Sequence, residues 1–305
     1  MCPVRVGDLA SDRFAALLGS TGAGIRTGPF SLRLRSRYRS VAETVHFLYA
    51  DFPVDEAASF ADLQVEIRPA NGLRRWIRPQ ALFHLDGEPL FEPYPGRLAV
   101  PLLEWGLNWC VATLAHQYLM LHAAVLERDG LAVVMPAKPG SGKSTLCAAL
   151  AHRGWRLLSD EMALLRPEDG LAWPWPRPLG LKNGSIDLLR RFAPEAAIGP
   201  VWRDTKKGDV AHMRPPRESV ERAAEPAHPA WLVFPRWRDG SAARFDATPK
   251  ADAMIRAADN SMNYRGLGGA GFETLADLVD RCDCLDFEYG RLDDALAAFE
   301  ELARP

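Results

Sequence analysis

The chain has 305 residues, of which 48% are hydrophobic and 25% are charged, and its formal net charge is −2. This composition is typical of a globular protein, and the length allows one large domain or two smaller ones. The nearly balanced charge gives no reason to expect a nucleic acid or an anionic membrane surface as a partner. No stretch approaches the ~18–20 apolar residues that cross a bilayer, so no membrane association is predicted.

The N-terminal segment and the cysteines bear on the compartment. The segment MCPVRVGDLASDRF carries acidic residues early and lacks the apolar stretch of a signal peptide, which argues against secretion. The chain has five cysteines, an odd and sparse number that fits reduced thiols. Cys282 and Cys284 flank one aspartate, but no second pair stands at zinc-ligand spacing, so a metal site is not predicted there. These features predict a cytoplasmic protein.

The first hundred residues predict a small α+β region. FSLRLRS (30–36) alternates apolar and polar residues as a strand does, and SVAETVHFLY (40–49) has a helical pattern. Three short runs bounded by Pro and Gly predict a small antiparallel sheet: LQVEIRP (63–69), LRRWIRP (73–79) and ALFHLDGE (81–88). The Pro-rich stretch FEPYPG marks a domain boundary, which gives an N-terminal region of residues 1–97.

Residues 98–166 predict the start of an α/β sheet. Residues 98–119 read as a largely buried helix in which Trp105, Trp109 and Cys110 belong to the core. A strand pair follows at 119–128 and 131–135. The next predicted elements are a Gly-rich loop, a helix from about Lys143 to Arg153, and one or two returning strands in 155–166. This order of strand, loop, helix and strand predicts an α/β domain over residues 98–305.

The remainder of that domain gives weaker signals. Residues 176–190 and 201–217 look rich in loops, whereas WLVFPRW (231–237) is typical of a buried strand. The Gly-rich run 264–272 is predicted as a plain loop, with a flexible lid as the alternative. Helices are predicted near 249–259, 273–281 and 291–303.

The loop between strand and helix has the pattern of a phosphate-binding loop. The pattern requires Gly, four residues, and then Gly-Lys-Ser/Thr, and here alanine replaces the first glycine. Glycines let backbone N–H groups surround a polyphosphate, the helix adds its positive N-terminal end, the lysine reaches the β- and γ-phosphates, and the serine suits Mg²⁺. The predicted nucleotide-binding residues are Ala137, Lys138, Pro139, Gly140, Ser141, Gly142, Lys143, Ser144 and Thr145.

A pair of acidic residues follows the loop, and its spacing from the loop indicates where it lies in the fold. Asp160 and Glu161 stand 17 and 18 residues after Lys143, an interval that holds one helix and one returning strand. The acids should therefore return to the edge of the sheet that carries the loop, where ligands of open α/β sheets bind. Phosphoryl transfer needs an acid to hold Mg²⁺ and a group that deprotonates the nucleophile, and two acids can serve both needs. The alternative is an acid pair that caps a surface turn.

Basic residues in two later loops are further candidates. A phosphoryl-transfer site must neutralise charge on the phosphate oxygens, and Lys or Arg from a loop can do so. Lys182, Lys206 and Arg214 are predicted to contribute in this way. The alternative for each is a solvated charged loop, which fits Lys207 better. His122 stands on the strand ahead of the loop, and by itself it would be a core histidine.

A family resemblance makes His122 a candidate site residue. It is carried by three segments: LHAA (121–124), PGSGKST (139–145) and RGWRLLSDE (153–161). They resemble the HPr kinase/phosphorylase family, which has a histidine ahead of its P-loop, a GKS loop and an arginine-glycine turn leading to an acid pair. His122, Lys143, Ser144, Asp160 and Glu161 fall on matching positions. The resemblance implies that Asp160 takes the proton from an acceptor hydroxyl, Glu161 supports Mg²⁺ and His122 lies beside the reacting phosphate.

The chain is similar over most of its length to the bacterial HPr-kinase-related "kinase A" group. The matching segments are EWGLNWC (104–110), PGSGKSTLCAAL (139–150), GWRLLSDE (154–161), SID after a Lys-Asn pair, and TKKGDVAHMRPP (205–216). The resemblance implies an HPr-kinase/PEP-carboxykinase-like P-loop domain with a mixed sheet. It also implies a peptide or small-protein acceptor, with a PqqD-like protein as a candidate partner.

The predicted function is that of an ATP-dependent kinase that transfers the γ-phosphoryl group to a hydroxyl, with Ser or Thr of a peptide or small protein as the expected acceptor. ATP and Mg²⁺ are the expected cofactors. The chain lacks the acidic residue followed by Arg-Gly of true HPr kinases and has Arg177–Asn183 there, which argues against HPr as the acceptor and against the reverse reaction. A small-molecule kinase, a non-catalytic nucleotide-binding regulatory module and a homo-oligomeric assembly stay open.

Overall fold

The computed structural model describes residues 3–57, 60–72, 77–138 and 140–304. Most of the strand predicted at 73–79 lies outside these residues, as do Pro139 of the predicted loop and Cys2. No helix in the described part of the chain is long and apolar enough to span a membrane.

The N-terminal third forms one mixed sheet with helices packed on it. In the described residues its strands are β1 (Ala23–Thr27), β2 (Phe30–Ser36), β3 (Val54–Asp55), β4 (Leu63–Pro69), β5 (Gln80–Leu85), β6 (Glu88–Pro89) and β7 (Tyr94–Pro95). The order is β3-β1-β2-β4-β5-β6, with β7 also paired to β5. The helices are α1 (Ser11–Gly19), α2 (Arg39–Leu48) and α3 (Ala99–Leu114).

The antiparallel pairing predicted for 63–69 and 81–88 is observed between β4 and β5. The structure adds β2 to this sheet, paired in parallel with β4, with Leu32 opposite Leu63, and α2 makes the crossover between them. One prediction about this region needs correction. Cys110 is buried on α3, but Trp105 and Trp109 keep 44% and 37% of their surface exposed. Both indoles pack against Phe91, with ring centroids 4.3 and 5.5 Å away, so they cover the edge of the core instead of filling it.

The rest of the chain forms three sheets and six helices within the described residues. The strands are β8 (Leu119–Leu121), β9 (Ala123–Arg128), β10 (Leu131–Pro136), β11 (Arg156–Ser159), β12 (Ala163–Leu165), β13 (Ala172–Trp173), β14 (Leu179–Lys182), β15 (Trp202–Thr205), β16 (Gly208–Met213), β17 (His228–Trp237), β18 (Arg244–Ala247) and β19 (Asp283–Tyr289). The helices are α4 (Lys143–Ala151), α5 (Gly184–Phe192), α6 (Arg217–Glu221), α7 (Lys250–Asp259), α8 (Tyr264–Arg281) and α9 (Leu292–Leu302).

The central sheet has the order β11-β9-β10-β17-β19-β18 and positions the site. β10, β17 and β19 run in parallel, so their carboxyl ends meet at one edge, and the other neighbours are antiparallel. α4, α5 and α9 pack on one face around a core that includes Leu146 and Phe287. α7 and α8 cover the other face, where Leu275 packs with Val134. The chain thus has a mixed α/β fold.

Three segments predicted as loops are ordered elements. Residues 176–190 contain β14 and most of α5, and residues 201–217 contain the hairpin of β15 and β16, which pairs with β14. The Gly-rich run 264–272 is the first half of α8, with a kink at Gly268. Asn263 anchors its start by accepting from Met120 N–H at 2.9 Å and donating to Tyr118 O at 2.7 Å. Tertiary contacts here outweigh the poor helix propensity of glycine.

The two predicted regions share one hydrophobic core. α3, which follows the predicted boundary at residue 97, packs against the N-terminal sheet, and Met162 and Trp175 of the second region join the same cluster. The indole N–H of Trp175 donates to Thr27 Oγ1 at 3.2 Å. A division after residue 97 stays a prediction, and helix α3 connects the two parts.

Candidate functional site

The glycine loop joins the carboxyl end of β10 to the first turn of α4. Gly140 and Gly142 have φ angles of 87° and 86°, in the left-handed region that favours glycine. Ser141 N–H donates to Lys138 O at 3.3 Å, which closes the loop on itself. Leu146, Ala149 and Leu150 bury the helix against the sheet, so its first turn is held at the sheet edge. That turn offers N–H groups without helical partners and the positive end of the helix dipole, as an anion site requires.

Two residues that sequence reasoning missed fix the loop from outside. Trp237, at the end of β17, donates its backbone N–H to Ser141 O at 2.9 Å. Tyr289, at the end of β19, donates its hydroxyl to Gly142 O at 3.1 Å. A Cβ atom at Gly142 would lie only 2.4 Å from the Tyr289 hydroxyl oxygen. The ends of both parallel strands therefore hold the loop in its cradle shape, which suits a polyphosphate.

Replacing Gly142 by alanine is expected to weaken Mg-ATP binding by at least about tenfold, which is about 1.4 kcal/mol. Its Cβ would displace Tyr289 and break the bond that shapes the loop. Gly154→Ala is the matched control, because Gly154 has a φ of 91° but nothing within 4 Å of an added Cβ. It should cost about 1–2 kcal/mol of stability from left-handed strain and leave affinity unchanged. Equal affinities of the two variants, measured by calorimetric titration, would contradict this role of Gly142.

Lys143 connects the loop to the acid pair. Its side chain is almost completely buried, and its ammonium group donates to the backbone oxygen of Asp160 and lies 3.7 Å from Asp160 Oδ1. Asp160 is only 5% exposed, and its Oδ2 accepts from Gly180 N–H at 3.2 Å. Apart from the ion pair with Lys143 and the nearby thiol of Cys147, Oδ1 has no hydrogen-bond donor among the described residues. A buried carboxylate oxygen without a donor is costly, so Oδ1 is suited to receive a proton donor from a ligand.

Glu161 and His122 lie together beside the lysine. His122 Nδ1 is 3.6 Å from Glu161 Oε2, and His122 is held in place by its backbone N–H, which donates to Asn260 O at 2.7 Å. Burial acts to raise the pKa of Glu161, but Lys143, Lys182 and His122 outweigh it and the pKa is lowered. Burial and then Lys143 lower the pKa of His122. At neutral pH the pair is therefore an ionised carboxylate beside a neutral imidazole.

A cavity of about 1040 Å³ opens over the loop. Its lining contains most of the predicted residues: His122, Ala137, Lys138, Gly140, Ser141, Gly142, Lys143, Ser144, Thr145, Glu161 and Lys182. Arg153, Arg191 and Arg291 also line it and were not predicted: Arg153 follows the helix of the loop, and Arg191 and Arg291 lie on distant elements. This volume is at the upper end for small-ligand sites, so a nucleoside triphosphate can fit.

Three predicted residues lie elsewhere. Asp160 lines a smaller cavity of about 40 Å³ behind Glu161, and Lys206 lines a second cavity of about 240 Å³ next to the first. Arg214 lines none of these cavities: its Nε donates to Phe47 O at 2.7 Å and its guanidinium stacks on the Phe47 ring. Arg214 was predicted to bind the phosphates because it lies in a basic loop. In the structure it instead connects the end of β16 to helix α2.

The residues present fit a nucleotide with Mg²⁺. The loop forms a cradle that a single Cβ would obstruct, and the Ser144 and Glu161 side chains line the same cavity. No group of three or more His, Cys, Asp or Glu side chains suited to a metal ion occurs in the described part of the chain. Mg²⁺ commonly uses one or two protein ligands together with phosphate oxygens and waters, so two ligands are consistent with this ion.

No family model matches this chain. Among known proteins it is similar to the tRNA modification GTPase MnmE of Sphingopyxis alaskensis, at 28% identity over 154 residues, which is 47% of this chain and 34% of the GTPase. The chain thus spans about a third of that relative's length. Among solved structures, the Hpr(Ser) kinase/phosphatase from Coxiella burnetii matches 60% of this chain and 96% of its own, at 15% identity and a TM-score of 0.27. Neither match assigns the chain to a family.

Buried histidines around the site predict acid sensitivity. Burial lowers the pKa of His212 below its ordinary value of 6.5, and His122 is lowered in the same direction. Below pH 6.5 the folded state therefore binds fewer protons than the unfolded chain. The contribution of these histidines to the free energy of unfolding is fully present above pH 6.5 and is lost as the pH falls through the lowered pKa values. We expect the melting temperature to drop between pH 7.5 and 5.5, and to drop less in His212→Gln. Parallel curves for both proteins would contradict the assignment to His212.

Proposed function

We propose that this chain is an ATP-dependent kinase that transfers the terminal phosphoryl group of ATP to a hydroxyl group. The observation that carries the proposal is the contact between Lys143 of the glycine loop and Asp160 of the acid pair. A loop that only bound phosphate would not need a buried carboxylate beside its lysine. Phosphoryl transfer needs both a phosphate cradle and a group that receives the hydroxyl proton.

Each residue has one task in this proposal. The loop N–H groups and the helix end hold the phosphates, and Lys143 neutralises the charge on the terminal phosphate oxygens. Mg²⁺, bound through Ser144 and Glu161, would neutralise further charge on the phosphates. Asp160 Oδ1 accepts the proton of the acceptor hydroxyl. The hydroxyl oxygen forms the new bond to the terminal phosphorus, the bond from that phosphorus to the ADP oxygen breaks, and ADP leaves with its electron pair.

The acceptor class is the open part of this proposal. The sequence resemblance supports Ser or Thr of a peptide or small protein, with a PqqD-like protein as candidate partner. A second cavity bounded partly by the N-terminal region supports a small-molecule acceptor instead. A cytoplasmic location and a homo-oligomeric state belong to the proposal as expectations. A non-catalytic nucleotide-binding module is the competing function, and it predicts ATP binding without acceptor-dependent ADP release.

Calorimetric titration of Mg-ATP into wild type and Lys143→Met tests the nucleotide site. Removing the buried ammonium is expected to raise the Kd at least about tenfold, since a charge-assisted hydrogen bond contributes roughly 1.5–3 kcal/mol. Arg190→Met is the control, because Arg190 lies on the exposed face of α5 and lines none of the cavities. It should bind as wild type does. Unchanged affinity in Lys143→Met would remove the basis for a phosphate site in this loop.

A further inference from the structure

A second cavity of about 240 Å³ lies beside the nucleotide cavity. One wall is α3 with Tyr94 of β7, and the other is the hairpin of β15 and β16. The hairpin is fixed to the N-terminal region, because Arg97 donates to Arg203 O at 2.7 Å and the Lys206 ammonium lies 5.8 Å from the Tyr94 ring centroid. The walls therefore come from both regions of the chain and are already in contact.

This cavity adjoins the reacting groups. Glu161, Gly180 and Lys182 line both the nucleotide cavity and the second cavity. The small cavity that reaches Asp160 also shares Glu161 and Gly180 with the second cavity, together with Glu104, Asn108 and His212. A molecule in the second cavity would thus contact Glu161 and Lys182, which also line the nucleotide cavity, and the small cavity lined by Asp160 adjoins it. An acceptor hydroxyl must reach both the terminal phosphate and the group that takes its proton, and the second cavity borders the cavities of both.

The lining indicates the chemistry of the occupant. Lys182, Lys206 and Lys207 contribute three cationic side chains. The other acid besides Glu161 is Glu104, whose charge is compensated by a buried ion pair with Arg177. Pro101, Leu102 and Trp105 form an apolar wall. The cavity is suited to a molecule with a negative group and an apolar part.

A buried polar atom independently indicates a ligand. His212 is only 7% exposed, lines both the second and the small cavity, and its Nδ1 has no hydrogen-bond partner among the described residues. An imidazole nitrogen buried without a partner costs free energy unless a ligand or a water binds it. A hydroxyl group can donate to or accept from a neutral imidazole.

We propose that this second cavity is the acceptor site and that the acceptor is a small anionic hydroxyl compound, such as a hydroxycarboxylic acid with an apolar part. This inference rests on the proposed kinase function and names its substrate class. The cavity holds the volume of roughly eight waters at about 30 Å³ each, which suits a small molecule better than a folded protein segment. Lys206, predicted from sequence to bind the nucleotide, instead binds the anionic group of the acceptor.

The first test separates extract by size and charge. Dialysable small molecules from cell extract are divided on an anion exchanger, and the retained, unretained and non-dialysable fractions are each incubated with the full chain and Mg-ATP. A mass gain of one phosphate on a molecule in the retained fraction is expected. A gain only in the non-dialysable or the unretained fraction would overturn this inference while the kinase function stands. No gain in any fraction, with ATP bound, would contradict the kinase function itself.

A charge-reversal pair tests the site with the retained fraction as acceptor. Lys206→Glu is expected to raise the amount of that fraction needed for half-maximal ADP release at least about tenfold and to leave the Kd of Mg-ATP unchanged. Arg203→Glu is the matched control on the same hairpin, because Arg203 is exposed and lines neither cavity. Equal responses of the two variants, or a weaker Kd for Mg-ATP in Lys206→Glu alone, would overturn the assignment of Lys206 to the acceptor.

Discussion

Replacing Asp160 by asparagine is expected to leave Mg-ATP binding nearly unchanged and to lower acceptor-dependent ADP release by roughly 10²–10⁴-fold, the usual contribution of general acid–base catalysis. Asparagine has the same shape and keeps an oxygen for the Gly180 N–H, so the loop should stay in place. It cannot take a proton from the acceptor hydroxyl at neutral pH. The measurement is steady-state ADP release together with calorimetric titration of Mg-ATP for both proteins.

Asp187→Asn is the control for this change. Asp187 lies on the exposed side of α5, with 73% of its side chain accessible, and it lines none of the cavities around the loop. It loses the same charge without touching the acid pair, so it should turn over as wild type does. Wild-type turnover in Asp160→Asn would mean that another group takes the proton and that the proposed mechanism is wrong.

The largest loss of stability is expected from Arg177→Met. Arg177 and Glu104 form a buried ion pair between α3 and the segment before β14, and Tyr49 donates its hydroxyl to Glu104 Oε1 at 2.9 Å. Arg177 Nη1 also donates to Asn108 Oδ1 at 2.7 Å. Removing the guanidinium leaves Glu104 buried without its charge partner, and such changes cost roughly 3–5 kcal/mol. A large fall in the urea midpoint relative to wild type would show this loss.

Two further variants establish the cause. Arg39→Met breaks an exposed pair with Glu43 and should leave the urea midpoint unchanged, because exposed ion pairs contribute little. Adding Glu104→Leu to Arg177→Met should recover part of the lost stability, because the unpaired charge is then gone. The effect of Glu104→Leu on the free energy of unfolding is measured both in wild type and in Arg177→Met. The same loss in both backgrounds would mean that the two residues act independently, which would contradict this account.

The loop between β10 and α4 was predictable because its sequence pattern is local. Gly140, Gly142, Lys143 and Ser144 are adjacent in sequence, and each residue type follows from what a polyphosphate needs. The spacing to the acid pair also predicted its return to the loop, since one helix and one strand have a nearly fixed length. The structure has Lys143 in contact with Asp160, as that spacing requires.

The groups that complete the site come from distant segments and carry no local pattern. Tyr289 lies 147 residues after Gly142, and only the order of the parallel strands brings its hydroxyl to the loop. The acceptor cavity forms because the hairpin of β15 and β16 packs against Tyr94. No spacing in the sequence indicates this contact. The same holds for Arg214, whose contact with Phe47 of α2 keeps it out of the cavity above the loop.

Fold prediction failed where tertiary contacts override local preference. The run 264–272 contains four glycines yet forms the start of α8, because Asn263 fixes its first turn and Leu267 packs on the core. The parallel pairing of β2 and β4 was not predicted at all, because it depends on α2 carrying the chain across the sheet, and short strands alone do not reveal that connection.

The most direct test of the central claim follows the phosphoryl group itself. Wild type and Asp160→Asn are incubated with Mg-ATP and the cell extract, and ADP release is followed together with mass gains of one phosphate. The account predicts that wild type releases ADP in step with a mass gain on one molecule, and that both are lost in the variant while ATP binding persists. ATP binding without any mass gain, and with the same ADP release in both proteins, would contradict it.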